Sequence, residues 1–449
     1  MTRTQDLTCG PIRPQLIELA VPLLLGNILQ QFYNTIDSFI VGRYVGLDAF
    51  AALGVAGTVM NLFVFVLTGF CSGISIILAN FYGRKDYAGF RNEVWLSTAL
   101  GTAATVALSL VGFLLLGPVL TLIQTPAELT APVREYLQVI LLGLASTYLY
   151  NLCAAALRSA GNSAAALGAL AIAMGANLVL DYLFVAVLGF GVAGAAWATV
   201  LAQLLSVGIC VAYWKLRFPH LLFTADDLHY NHHLVTQSAN YGLVSALHQS
   251  SLYIGKLLVQ GAVNTMGTQV IAAYTATMRI EGFLNSFGDS GAAALSVFIA
   301  QNEGARDRRR AQEGFGIGLR MMVVLCLALA AVMALVARPC TQFLVGETDG
   351  LTVDSAVNYL RLIAPFYVCC FIGNSFVGFY RGRGLVHVPV IGTCLHISMR
   401  VVLSYLLADA MGLPAVALAT GIGWIGVNTY QYLTYRSLGR KGDLDPITE

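Results

Sequence analysis

Long apolar runs recur along the chain, separated by short clusters of charged residues, glycine and proline. A helix needs about 20 apolar residues to cross the hydrocarbon core of a bilayer. Runs of that length fall at roughly 14–38, 48–79, 93–116, 132–156, 164–186, 192–214, 234–260, 270–300, 313–337, 355–379, 387–408 and 414–434. They are too long and too evenly apolar for barrel strands, whose side chains alternate with a period of two. The pattern predicts an all-α polytopic membrane protein with 12 transmembrane helices.

The pattern also repeats. GLDAFAAL (46–53) lies over GTQVIAAY (267–274) at an offset of 221, as do ANFYGRKD (79–86) over AQNEGARD (300–307) and GVAGAAWAT (191–199) over GLPAVALAT (412–420). An offset of 223 pairs Tyr136 with Tyr359, Asn151 with Asn374, Arg158 with Arg381 and Gly161 with Gly384. Two pseudo-symmetric six-helix bundles follow. The N-terminal bundle covers 1–214, a cytoplasmic linker 215–233, the C-terminal bundle 234–434 and a cytoplasmic tail 435–449. Six spans is an even number, so both halves enter the membrane in the same sense, a parallel repeat of the kind found in secondary transporters.

Composition strengthens the membrane reading. Hydrophobic residues make up 57% of the 449 and charged residues 11%, with mean hydropathy +0.73. Soluble domains carry about 25% charge. The net charge of +2 argues against a nucleic-acid binder. The distribution of Lys and Arg is more telling than their sum. With the N-terminus inside, the inner segments hold seventeen, including Arg84, Lys85, Arg306, Arg308, Arg309 and Arg310. The outer segments hold only Arg43, Arg134 and Arg338. This positive-inside bias predicts a multi-pass protein of the inner (cytoplasmic) membrane with both termini in the cytoplasm. The first apolar run has no A-x-A-like cleavage site and reads as a retained span. The nine cysteines are scattered through apolar runs without a C-x-x-C and read as small hydrophobes.

Polar residues inside spans are costly and tend to face a cavity. In the first span Asn27, Gln30, Gln31, Asn34 and Asp37 recur at helical spacing along one face, and Pro22 removes a backbone hydrogen bond and permits a bend. Asn177 and Asp181 sit four apart on the fifth span, and Thr199 and Gln203 on the sixth. Two carboxylates with amide and hydroxyl oxygens suit a proton or a hard cation such as Na+. The second half is not a copy: Asp37 corresponds to Leu258, and the eighth span instead carries Glu281, Asn285 and Asp289 along one face. These three read equally as a second ion or substrate site or as part of a structural charge network with Arg279 and Arg400.

Signs of catalysis are missing. There is no P-loop and no H-E-x-x-H, and Gly288-Asp289-Ser290-Gly291 lies inside a predicted span. The chain is not expected to be an enzyme, nor to hold a cofactor or a metal beyond a coupling ion.

The arrangement resembles the multidrug and toxic compound extrusion (MATE) family over almost the whole chain. The resemblance rests on the two six-helix halves, on IDSFIVGRYVGLDAFAALGVAG (36–57) and on the repeated small-residue and basic-loop patterns. Pro22, Asp37, Asn177, Asp181 and Thr199 match a polar site in the N-terminal half of its DinF-like branch. The tenth span offers Cys369, Cys370 and Asn374 and lacks the acid of the NorM-like branch. The resemblance implies a multidrug efflux antiporter that exchanges amphipathic or cationic organic compounds, xenobiotics among them, for H+ or Na+ by alternating access. Asp37 and Asp181 would be the exchange groups, with Asn177 and Thr199 as partners. The expected partners are small organic cations or drugs and the lipid bilayer, and a monomer is expected. The alternative is a lipid-linked oligosaccharide flippase of the same wider superfamily, for which Lys256, Arg279, Arg361 and Arg400 would supply basic groups.

Overall fold

The computed structural model describes residues 6–122, 125–345 and 350–440, all in helices, turns and short connections, with no strand among them. In the first half the helices are α1 (Ile12–Tyr44), α2 (Leu47–Gly83), α3 (Tyr87–Leu122), α4 (Ala127–Leu142), α5 (Leu144–Ser159), α6 (Ser163–Asp181) and α7 (Gly191–Arg217). In the second they are α8 (His232–Asn264), α9 (Thr268–Gly304), α10 (Arg308–Val345), α11 (Gly350–Ile363), α12 (Tyr367–Gly382), α13 (His387–Met411) and α14 (Leu413–Arg440).

These make twelve helical stretches among the described residues, six per half, because two pairs each form one stretch. The predicted run 132–156 is broken at Gly143, where α4 and α5 meet at 49°. The run 355–379 is interrupted by a 3-10 turn at Ala364–Phe366 that carries Pro365. Nine of the stretches, or ten with the bent pair, are apolar and long enough to span a bilayer. The helices α8 and α14, richer in polar residues, fall below that mark.

The repeat is written into the backbone. The helices α2 and α9 are each 37 residues long and begin 221 positions apart. Each is preceded by a glycine in left-handed conformation, Gly46 at φ +125° and Gly267 at φ +95°. Each is followed by a turn that places a non-glycine residue at positive φ, Lys85 at 59° and Arg306 at 61°. Side chains rarely adopt that conformation, so the same strained turn at the same offset marks two copies of one structural unit.

Contacts divide the chain into two compact units. Unit 1 comprises Met1–Asp6 and Val21–Ala246, and unit 2 comprises Leu7–Ala20 and Leu247–Glu449. The division falls inside α1, next to Pro22, and inside α8. In unit 1 one apolar core forms around Ile74, Leu78, Phe90, Tyr148 and Leu152. A second gathers Val41, Ala52, Val133, Leu137 and Ala196. Close packing needs small residues: a Cβ on Gly73 would stand 2.2 Å from the Tyr241 carbonyl oxygen. The segment expected as a linker holds the end of α7, two 3-10 turns and the first turn of α8. It is docked on the start of α3, where Asn92 donates to the carbonyls of Asp227 and His229 at 2.8 and 2.9 Å, and Arg91 pairs with Asp227 at 2.8 Å.

In unit 2 the core surrounds Tyr274, Met322, Tyr359, Leu360, Tyr367 and Phe371. This unit also binds the lead-in to α1. Leu7 is fully buried, its N–H donates to Gln301 Oε1 at 3.2 Å, and its carbonyl accepts from Asn302 and Arg310 at 3.2 and 3.0 Å.

Candidate functional site

In unit 1, α1 delivers Asp37 and α6 delivers Asn177 and Asp181 to one place. The spacing of four puts Asn177 and Asp181 on the same face. All three are buried, at 8, 1 and 1% exposure. The carboxyl groups of Asp37 and Asp181 face each other at hydrogen-bonding range. Local backbone contributes to this placement. Asp181 is the last α-helical residue before a π-helical turn at Tyr182–Val187, which widens the helix just beyond the carboxylate. Such turns recur at functional sites because they re-aim the side chains around them.

One oxygen of Asp37, one of Asp181, the Asn177 amide nitrogen and the Gln203 amide oxygen are buried without a hydrogen-bond partner. A buried polar group left unmatched costs about 1–3 kcal/mol, so the unmatched atoms of Asp37, Asp181 and Asn177 amount to a site with unused binding capacity. Two facing carboxyl groups need a proton or a cation between them, because like charges in contact repel. Thr199 and Gln203 on α7 are half-buried.

The other expected residues divide. Asn27, Gln30 and Gln31 lie exposed on α1, and Pro22 is half-buried within the same continuous helix. The side chain of Asn34 lies outside the described residues. Tyr136 on α4, which sequence reasoning used only as a marker of the repeat, is buried with its hydroxyl in electrostatic reach of both Asp37 and Asp181. Its hydroxyl also lies 3.7 Å from Met60 Sδ.

In unit 2, Glu281, Asn285 and Asp289 share α9 but not an environment. Glu281 is 3% exposed and accepts a 2.7 Å hydrogen bond from the Tyr367 hydroxyl, while its other oxygen has no partner. Asn285 is half-buried and Asp289 is exposed. Arg400 donates to the Tyr274 hydroxyl at 3.3 Å, and Arg279 is exposed. Glu281 is thus held by a tyrosine, without an ion pair to Arg279 or Arg400 among the described residues. No group of three or more His, Cys, Asp or Glu converges in a metal-binding arrangement among the described residues.

Two bundles of six helical stretches, related by an internal repeat, with a carboxyl pair buried in one of them, have the architecture of a membrane transporter. The model of the MatE family matches residues 22–183 and 245–406, and the chain belongs to that family of transporters. The two matched segments lie 223 positions apart, one of the offsets of the repeat.

Among similar proteins, the probable multidrug resistance protein YpnP of Bacillus subtilis is 26% identical over 97% of each chain. The probable multidrug resistance protein NorM of Thermotoga maritima is 23% identical over 86% of this chain and 83% of its own. A FAD transporter of Shewanella oneidensis is 21% identical over 82% of this chain and 81% of its own. Among solved structures, a MATE protein crystallised in a bent conformation superposes with a TM-score of 0.91 at 24% identity, covering 99% of this chain and 98% of that one. The straight conformation gives 0.89, also at 24% identity, and covers 99% of each chain.

Proposed function

We propose that this protein is a secondary active multidrug exporter that antiports amphipathic or cationic organic compounds against H+ or Na+ by alternating access. The observation that carries the reading is the buried Asp37–Asp181 pair with Asn177 beside it. The pair can hold one proton between its carboxyl groups. Alternatively, oxygens from Asp37, Asp181, Asn177 and Thr199 supply the hard ligands a sodium ion takes. A cationic substrate competes for the same negative charge, and that competition couples the two fluxes. A ligand shifts a conformational equilibrium only by its differential affinity for the two states, so a site that must be neutralised before it can close has the required property.

The absence of an acid in α12 and the composition of the unit 1 site favour the DinF-like arrangement over the NorM-like one. On this reading the protein lies in the inner membrane with both termini cytoplasmic.

The test is efflux of a fluorescent cationic dye from proteoliposomes with proton and sodium gradients imposed separately. Wild type is expected to export dye under one of the two gradients, which names the ion. Asp37→Asn is expected to insert and fold but to lose gradient-driven export. Normal export by Asp37→Asn would defeat the assignment. Lipid scrambling without dye export would favour a flippase.

A further inference from the structure

Glu93 lies on α3, away from the carboxyl pair, and is fully buried. The apolar residues of α2, α3 and α8 in this region, Ile77, Leu96 and Leu234, form a small core flanked by Phe81, Trp95, Val235 and Tyr241. Among the described residues no Lys, Arg or His comes within ion-pair distance of Glu93. The nearest cation in sequence, Arg91, is committed to Asp227 and to the His220 carbonyl. The titratable or charged groups around it are few. Tyr148 on α5 is one, and its hydroxyl donates to the Ser97 carbonyl at 2.7 Å. The Arg91–Asp227 pair and the exposed His229 lie on the linker side. The helix α8 presents Ser238, with Tyr241 in the adjoining apolar cluster.

The contacts of Glu93 can be counted in hydrogens. Ser97 Oγ donates to Oε1 at 2.8 Å. Ser238 Oγ lies 2.8 Å from Oε1, 2.8 Å from Oε2 and 2.8 Å from the Leu234 carbonyl oxygen. A serine hydroxyl has one hydrogen to give, and an ionised carboxylate has none. With Glu93 ionised, Ser238 faces three acceptors with a single hydrogen. With Glu93 protonated, its O–H donates to Ser238 Oγ, Ser238 donates to Leu234, and Ser97 satisfies the other carboxyl oxygen. The neutral acid also avoids burying a charge with no counterion, which is far more costly than burying a hydrogen-bonded neutral group.

The repeat supplies an independent argument. At the offset of 221, Glu93 corresponds to Gly314, where a Cβ would stand 2.1 Å from the Phe298 ring. The same architecture in unit 2 therefore does without a carboxyl group at this place.

We propose that Glu93 is a second proton-binding site, separate from Asp37–Asp181, whose neutral acid clasps the first turns of α8 to α3. The helix α8 runs on into unit 2 beyond Ala246, so the clasp determines whether the start of that helix stays bound to unit 1. Ionisation leaves Glu93 as a buried charge without a counterion, a cost that is relieved when the helix pair opens to water. The clasp therefore holds in acid and releases as pH rises through the titration of Glu93.

Infrared difference spectra and hydrogen exchange of the full-length protein in liposomes test this without reference to transport. Wild type is expected to show the carbonyl stretch of a protonated carboxylic acid that is absent from Glu93→Gln and fades in alkaline buffer. Glu93→Gln keeps the clasp at every pH, because its amide donates to Ser238 and accepts from Ser97. Amides 236–246 of wild type should match this variant in acid. Above the titration the ratio of wild-type to Glu93→Gln exchange should rise about tenfold for each further pH unit. If Glu93→Gln fails to fold, Ser238→Ala decides: the acid band must persist and shift, because its hydrogen-bond acceptor is gone. No Glu93-dependent acid band, an unshifted band in Ser238→Ala, or a pH-independent exchange ratio would each overturn the proposal.

Discussion

At the scale of single residues, the proposed antiport has Asp37 and Asp181 act as one group. Facing carboxyls that share a proton or an ion lose that capacity when either is neutralised. Asp37→Asn and Asp181→Asn should therefore each abolish gradient-driven export, and the double variant should be no worse than either single. Residues that work as a unit are non-additive in this way. Dye-efflux rates of the three variants side by side measure it, and a double variant much slower than both singles would show independent roles. The pair was legible in the sequence because a carboxylate inside a long apolar run stands out. Tyr136 was not legible, being one of 20 tyrosines with nothing local to distinguish it. Glu93 was hidden for another reason. It sits beside Arg91 and Asn92 at the start of a span, where charges usually meet water, and its burial comes from tertiary packing that includes α8.

At the scale of elements, the helices followed from apolar run length, whereas their breaks did not. The run of 132–156 continues through the bend at Gly143 without a polar residue to announce it. The linker is a similar case. Its polarity suggests a solvated loop, yet Phe218 and Leu221 are buried in the core of unit 1 and Asp227 is tied to Arg91. The hydrogen bond from Arg91 holds the Asp227 carboxyl down to about 2, below the usual value of about 3.9 for aspartate. The folded form thus favours the ionised state. The gain is complete above about pH 4 and disappears as pH falls through about 2. Asp227→Asn should loosen the linker at neutral pH by about 1.5–3 kcal/mol, the range for hydrogen bonds to charged groups. Limited proteolysis across 218–231 reads this directly. Wild type should resist cleavage to the same degree at all pH values above about 4, and the variant should be cut faster throughout.

At the scale of the whole molecule, the charge bias along the sequence and the exposed Cys9 together make a topological prediction. In a variant retaining Cys9 as its single cysteine, a membrane-impermeant maleimide added to intact cells should leave it unlabelled, and permeant reagent should label it. Labelling from outside would reverse the proposed orientation of both units. The division of contacts between the units has a historical consequence. The stretch Leu7–Ala20 belongs to the second unit, and the start of α8, through Ala246, belongs to the first. Each repeat thus lends its leading segment to the other. In a half-length ancestor with a single copy, the same arrangement is a homodimer whose two chains exchange their N-terminal arms, a low-cost route to a stable pair. Fusion of two such copies would keep the beginning of each copy's first helix with the other copy's unit.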